Sequence, residues 1–370
     1  MNENVQRPAE GRNYGIDALR LFAMFMVSFL HMLSRGGVLN ASGGNCYKVS
    51  WSLAVFTYCA VNCYGVISGF VLYSDRERPF KYKRYISLWM QVWTYSIVLY
   101  AFAYVAKPWL VRDVALKSVL FPVSAGFYWY FSAYTGLFFL IPWLNRFVRE
   151  RSREEMNRFM LTIFLAFSAY AFLSGFFIGV DIFKLGKGYS FIWLVFLYLT
   201  GAWMKKCGIV ERIKSRYAVL AILLCGGATI AASLLKDAIK WKLMYYINPA
   251  MLIMAVAYVV IFARLKVGKT AVKIIKCFAP ASFGVYLLQV HPAVWNVLHN
   301  RFKWIAGYPA WMLPILVFVC AAGIFIIGLL LEKCRLLVFS FCKIDRTAER
   351  ILEWILKKCG LVKSKQKVSE

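Results

Sequence analysis

The sequence predicts an all-α integral membrane protein, a bundle of about ten transmembrane helices with both termini in the cytoplasm. Of its 370 residues, 61% are hydrophobic and 18% are aromatic, and the mean hydropathy is +0.61. Soluble domains are less apolar than this. About 20 apolar residues cross a bilayer as a helix, and that length predicts spans at 15–34, 51–73, 84–106, 127–145, 159–179, 189–204, 217–235, 244–263, 278–298 and 310–332.

The distribution of basic residues sets the expected orientation of these spans. The chain has 45 lysines and arginines and a formal charge of +28. With the N-terminus inside, 33 of the 45 fall in cytoplasmic segments and 12 in external loops. This asymmetry follows the positive-inside rule and favours an even number of spans. The charge therefore indicates membrane loops rather than a nucleic-acid-binding surface, and the first apolar run is expected to be a retained span, not a signal peptide.

The first span carries three polar residues that we single out, Asp17, Arg20 and His31. Eleven helical steps of about 100° return His31 to within roughly 20° of Arg20, and about 1.5 Å per residue places it about 16 Å further along. Ionisable groups inside a span usually face the bundle interior or a water-filled cavity. The alternative is that Arg20 anchors the helix at the cytoplasmic interface and His31 lies at its outer end.

The motif in this span resembles the signature of the acyltransferase 3 family. Its residues are Ile16, Asp17, Leu19 and Arg20, and then His31 after ten intervening residues. Members of that family are integral membrane enzymes that move an acyl group from its coenzyme A ester to sugar hydroxyls of surface glycans. The resemblance therefore implies an acyl-transfer reaction.

Two further elements near the cytoplasmic side are similar to the family. Ser68-Gly69-Phe70 ends the second span, where simple helix packing is the alternative explanation. Lys81 and Arg84 stand where the family commonly has paired arginines, which suits them to the phosphates of coenzyme A. Lysine lacks the bidentate grip of arginine, so this match is incomplete.

The ninth predicted span carries the last element that resembles the family. It reads Ser-Phe-Gly-Val-Tyr-Leu over 282–287 and includes Tyr286. The family usually has a histidine where this chain has Gln289, and His291 follows two residues later. On a continuous helix His291 would face nearly the opposite way from Gln289. Ser68, Tyr286 and His291 are candidates for supporting roles, and a direct catalytic role for His291 is left open.

The resemblance implies roles for the residues of the first span. His31 is the expected general base, because a histidine of ordinary pKa is a competent base at neutral pH. Arg20 is expected to hold a coenzyme A phosphate or to steady the oxyanion, and Asp17 to orient its guanidinium.

The expected substrates and partners follow from the same resemblance. The donor is acyl-coenzyme A, with acetyl as the expected group, and the acceptor is a cell-surface or lipid-linked glycan. We expect no bound cofactor, no metal site and no nucleic-acid partner. The expected location is a bacterial cytoplasmic membrane, crossed several times and in contact with its lipids, and homo-oligomerisation is left open. A transporter or flippase of glycan intermediates, or an inactive assembly partner, is the rival interpretation.

Two segments are expected in the chain. Residues 1–332 form the membrane acyltransferase domain, and 333–370 form a basic cytoplasmic tail. Within the tail, apolar residues at 351, 352, 355 and 356 share one helical face, with lysines beyond them. This pattern predicts an amphipathic helix on the anionic inner leaflet.

Overall fold

A computed structural model describes residues 12–77, 82–236 and 239–358. Within these ranges the chain is helical and contains no strand. The α-helices are α1 Tyr14–Leu33, α2 Val38–Ala41, α3 Gly44–Tyr58, α4 Ala60–Leu72, α5 Tyr82–Ala106, α6 Leu116–Leu120, α7 Trp129–Glu150, α8 Arg153–Phe164, α9 Ala171–Leu173, α10 Phe191–Lys206, α11 Ile209–Arg212, α12 Ser215–Leu235, α13 Lys240–Leu243, α14 Pro249–Ala263, α15 Lys269–Phe278, α16 Ser282–Val290, α17 Pro292–Leu298, α18 Leu313–Phe341 and α19 Ile344–Lys358.

Seven helical segments in the described part of the chain are long and apolar enough to cross a membrane. They are Tyr14–Ala41, Gly44–Leu72, Tyr82–Ala106, Arg153–Ile178, Ser215–Leu235, Lys269–Val290 and Leu313–Phe341. The all-helical membrane fold is thereby confirmed. The fourth of these segments includes π-helical turns at Leu165–Tyr170 and Ser174–Ile178.

The other three predicted spans are also helices, but they fall outside this group of seven. Helices α10 and α14 have 16 and 15 residues, which is shorter than a bilayer crossing requires. Helix α7 has 22 residues, but tyrosine and tryptophan open it and charged residues close it, which reduces its apolar character. The count of ten spans and the cytoplasmic termini therefore stay predictions.

Helix α1 lies at the centre of the bundle, in contact with α3, α4, α14, α16 and α18. Asn13 caps its first turn by accepting a hydrogen bond from the Ile16 amide at 3.1 Å. The same side chain donates to the Ala263 carbonyl at the end of α14, at 2.9 Å. A Cβ on Gly15 would lie 1.9 Å from the Phe262 carbonyl oxygen, so only glycine permits this approach. The cap and the close contact together fix the N-terminal end of α1.

Helices α4 and α10 meet backbone to backbone across small residues. A Cβ on Gly69 would lie 1.8 Å from the Tyr198 carbonyl oxygen, and one on Gly201 would lie 1.9 Å from the Val66 carbonyl oxygen. Gly65 and Gly69 form a small-xxx-small pair, which allows close helix approach in membranes. The Ser68-Gly69 element thus has a packing function through its glycine.

The predicted ninth span, 278–298, is broken rather than continuous. His291 has an extended conformation, φ −62° and ψ 131°, between α16 and α17. Pro292 explains the break, because proline disfavours helical geometry at the preceding residue. His291 caps α17 instead, accepting a hydrogen bond from the Ala293 amide at 3.2 Å.

The tail helix α19 packs along α5. Lys83 at the start of α5 forms ion pairs with Glu353 at 2.7 Å and Glu349 at 3.6 Å. Apolar residues of the two helices, including Trp89 and Ile351, face a shared groove. The described part of the tail is therefore attached to the helix that follows the predicted donor-binding loop.

Candidate active site

A cavity of about 580 Å³ opens between α1, α3, α4, α7, α13, α16 and α17. Eleven of its 24 lining residues are phenylalanine, tyrosine or tryptophan, which suit the apolar faces of a sugar or of an extended organic chain. The aromatic lining residues are Tyr58, Tyr64, Phe127, Trp129, Tyr130, Tyr189, Trp241, Tyr246, Phe283, Tyr286 and Trp295.

His31 is in the wall of this cavity, on the face of α1 that the helical spacing indicated. Met24, Val27 and His31 all line it, and they follow Arg20 at steps of four, three and four residues. Residues at these steps share one side of a helix. The polar face of the first span therefore borders an internal space.

A buried hydrogen-bonded chain holds the His31 ring. Its Nδ1 lies 2.8 Å from Oε1 of Gln289 on α16. The Nε2 amide nitrogen of Gln289 donates to Ser28 Oγ at 2.6 Å, and the Ser28 hydroxyl donates to the Met24 carbonyl at 3.2 Å. Trp295 meets the His31 ring edge-on, with ring centroids 5.0 Å apart. The imidazole is thus fixed by α16 on one side and α17 on the other.

A cluster of charged groups lies at the opposite end of α1. Arg20 Nη1 donates to Asp17 Oδ1 at 2.9 Å, and Arg12 Nε donates to Asp17 Oδ2 at 2.6 Å. Arg84, at the start of α5, is exposed and close enough to Arg20 to repel it electrostatically. Arg12 and Arg20 thus share the carboxylate of Asp17, and Arg84 lies near Arg20, so this basic cluster has a net positive charge.

Tyrosines connect this charged cluster with the cavity. The Tyr64 hydroxyl donates to the Arg20 carbonyl at 2.7 Å, while the same side chain lines the cavity. Tyr130 stands edge-on to both Tyr64 and Tyr286, with centroid distances of 6.3 and 6.2 Å. The Tyr286 hydroxyl accepts from the Tyr130 amide at 3.3 Å. Tyr64, Tyr130 and Tyr286 therefore form a tyrosine layer in the cavity wall, and Tyr64 connects this layer to Arg20.

Comparison with known families identifies the chain. The family model described as an acyltransferase domain matches residues 13–333, nearly the whole chain. The chain belongs to the acyltransferase 3 family. No curated protein and no solved structure matches it. Membership supports a multi-pass membrane protein with acyltransferase activity.

The remaining candidate residues of this acyltransferase lie in different places. Ser68 donates to the Tyr64 carbonyl at 2.9 Å, an ordinary bond within α4. His291 is fully buried outside the cavity wall, and its Nε2 lies 3.3 Å from the Ser96 carbonyl oxygen. With Nδ1 engaged by the Ala293 amide, both ring nitrogens have partners, which favours a structural role. Lys81 lies outside the described residues.

Sequence reasoning did not assign a role to Gln289, Ser28 or Trp295. The one available signal was the position of Gln289, where the acyltransferase 3 family usually has a histidine. The contact between Gln289 and His31 joins residues 258 positions apart, and no periodicity within one helix could indicate it.

Proposed function

We propose that this acyltransferase moves an acyl group, expected to be acetyl, from acyl-coenzyme A to a hydroxyl of a cell-surface or lipid-linked glycan. The observation that carries the proposal is the position of His31 in an aromatic cavity, with a basic cluster at the far end of the same helix. A long donor with phosphates at one end and a thioester at the other matches this arrangement.

The basic cluster is the proposed site of the donor phosphates. Arg20 and Arg84 supply guanidinium groups, which form strong charge-assisted hydrogen bonds with phosphate oxygens. Asp17 holds Arg20 in place through the 2.9 Å ion pair. About 16 Å of helix separates Arg20 from His31, so a phosphate contact suits Arg20 better than contact with an oxyanion formed beside His31.

The acyl chain and its thioester would then extend past the tyrosine layer into the cavity. Tyr64, Tyr130 and Tyr286 line that route. The hydroxyls of Tyr130 and Tyr286 are the proposed hydrogen-bond donors to a carbonyl oxygen that becomes negative during the reaction, because the Tyr64 hydroxyl already donates to the Arg20 carbonyl. The wider aromatic wall, which includes Trp241 and Trp295, offers flat surfaces for a sugar ring.

The chemical step requires a base at the acceptor hydroxyl. His31 Nε2 takes the hydroxyl proton as the sugar oxygen forms a bond to the thioester carbonyl carbon. The carbon–sulfur bond then breaks, and the coenzyme A thiolate leaves and takes up the proton. The products are the O-acylated glycan and free coenzyme A, so atoms and charge balance without a further reactant.

The experiment that tests this proposal uses the purified protein in lipid nanodiscs with radiolabelled acetyl-coenzyme A and the envelope glycans of the source cells. We expect label in the glycan and one free coenzyme A thiol for each acetyl group transferred. A transporter or flippase would move the glycan across a sealed vesicle without transferring label, and this result would refute the proposal. An assembly partner would do neither.

A further inference from the structure

We infer that Gln289, anchored by Ser28, selects the tautomer of His31 in which Nδ1 carries the proton and Nε2 is free to act as a base. The inference rests on the proposed function of His31. It makes Gln289 a positioning residue, since it acts through the imidazole and does not line the cavity.

The direction of the hydrogen bonds follows from Ser28, which links Gln289 to the backbone of α1. The Ser28 hydroxyl gives its only hydrogen to the Met24 carbonyl, 3.2 Å away on the preceding turn of α1. Ser28 Oγ can then only accept, and the group that it meets at 2.6 Å is the amide nitrogen of Gln289. The amide is therefore oriented with Nε2 towards Ser28 and Oε1 towards His31.

The orientation of the amide determines which imidazole nitrogen is protonated. An amide oxygen is an acceptor only, so the His31 nitrogen 2.8 Å from Oε1 must supply the hydrogen. That nitrogen is Nδ1, and in a neutral ring Nε2 is then unprotonated. Ser28 and Gln289 are both fully buried, so water does not compete for these bonds.

The location of Nε2 explains why this tautomer suits a general base. No hydrogen bond reaches Nε2 from any residue in the described ranges, whereas His31 lines the cavity. When Nε2 takes a proton, the ring becomes cationic, and its bond to Oε1 becomes charge-assisted and stronger. Gln289 thus stabilises the protonated base as well as preparing the neutral one.

The test reads the tautomer directly by nitrogen NMR of protein labelled with ¹⁵N-histidine in nanodiscs, with the His31 signals assigned by their loss in His31→Gln. At neutral pH we expect Nδ1 of His31 to be protonated and Nε2 to be unprotonated. A protonated Nε2 in the wild-type protein would overturn the inference. The NMR measurement does not require acyl transfer. If His31 has the expected tautomer but the glycan is not labelled, the proposed function is refuted and the inference about Gln289 is not.

Variants test the consequence for the reaction. Gln289→Met keeps the side-chain length but removes the acceptor, so we expect mixed tautomers and a kcat lower by about tenfold or more, with an unchanged KM for the donor. Gln289→Glu restores an acceptor and should retain most of the activity. Gln91→Met, which changes a buried glutamine of α5 away from the cavity, is the matched control. An unaltered tautomer and kcat in Gln289→Met would contradict the inference. If that variant does not fold, Ser28→Ala tests the same point, because loss of the hydroxyl lets the amide of Gln289 turn.

Discussion

Replacement of Gly69 by alanine tests whether the Ser68-Gly69 element acts through packing. The added Cβ would lie 1.8 Å from the Tyr198 carbonyl oxygen, 2.7 Å from its carbon and 2.9 Å from the Ala202 nitrogen, all of them backbone atoms of α10. Ordinary contact begins near 3.4 Å, so the helices must separate by about 1.6 Å at this point. A side chain could rotate away from such a clash, but a helix backbone cannot.

The expected cost follows from that separation. Overpacking a tight core usually costs about 1–3 kcal/mol and occasionally more, and a gap of about 1 Å along the seam forfeits up to half of the neighbouring dispersion energy. We therefore expect Gly69→Ala to destabilise the protein by about 3 kcal/mol or more. Tyr64 lies on the same helix, so activity should fall with stability.

The assay is thermal unfolding of the purified protein in detergent, followed by tryptophan fluorescence. Gly323→Ala is the matched control, because a Cβ on this glycine of α18 meets nothing within 4 Å. That control should be neutral or stabilised by up to about 1 kcal/mol, the helix propensity difference between alanine and glycine. Equal melting temperatures for Gly69→Ala and Gly323→Ala would refute the close-packing argument.

Two further predictions concern the donor side. Joint replacement of Lys81 and Arg84 by glutamine should raise KM for acyl-coenzyme A and change kcat less, because phosphate contacts stabilise the bound ground and transition states alike. Steady-state kinetics measure both constants, and an unchanged KM would show that the donor binds elsewhere. Reporter enzymes fused after Glu370 and within 146–158 should be cytoplasmic, and one within 106–126 external; an external reporter at Glu370 would overturn the even number of spans.

The sequence predicted the all-helical membrane fold because the length of an apolar run is a local property of the chain. It also predicted that Arg20 and His31 share a face of one helix, and the structure places the intervening Met24 and Val27 in the same cavity wall as His31. This success follows from the fixed geometry of the α-helix, which links neighbouring positions regardless of the rest of the chain.

The parts that the sequence did not predict depend on contacts between distant segments. That Gln289 meets His31 depends on α16 packing beside α1, and hydropathy contains no information on which spans become neighbours. The break after α16 had a local signal in Pro292, but the apolar run continued through it and suggested one span. The close approach of Gly69 to α10 likewise required the partner helix to be known.

The role of His31 as the base is the central claim, and His31→Gln tests it most directly. Glutamine can keep a hydrogen bond to Gln289 and fills similar space, so insertion and folding should be preserved. The basic cluster lies at the other end of α1, so donor binding should also be preserved, whereas Arg20→Gln should weaken it.

The decisive measurement is the turnover number for glycan acylation by His31→Gln, with donor affinity measured separately on the same nanodisc preparation. We expect turnover to fall by roughly 10²-fold or more, the usual scale for loss of general base catalysis, with donor affinity unchanged. His299→Gln, which changes an exposed histidine that does not line the cavity, should retain wild-type turnover. Acylation by His31→Gln at the wild-type rate would contradict the account.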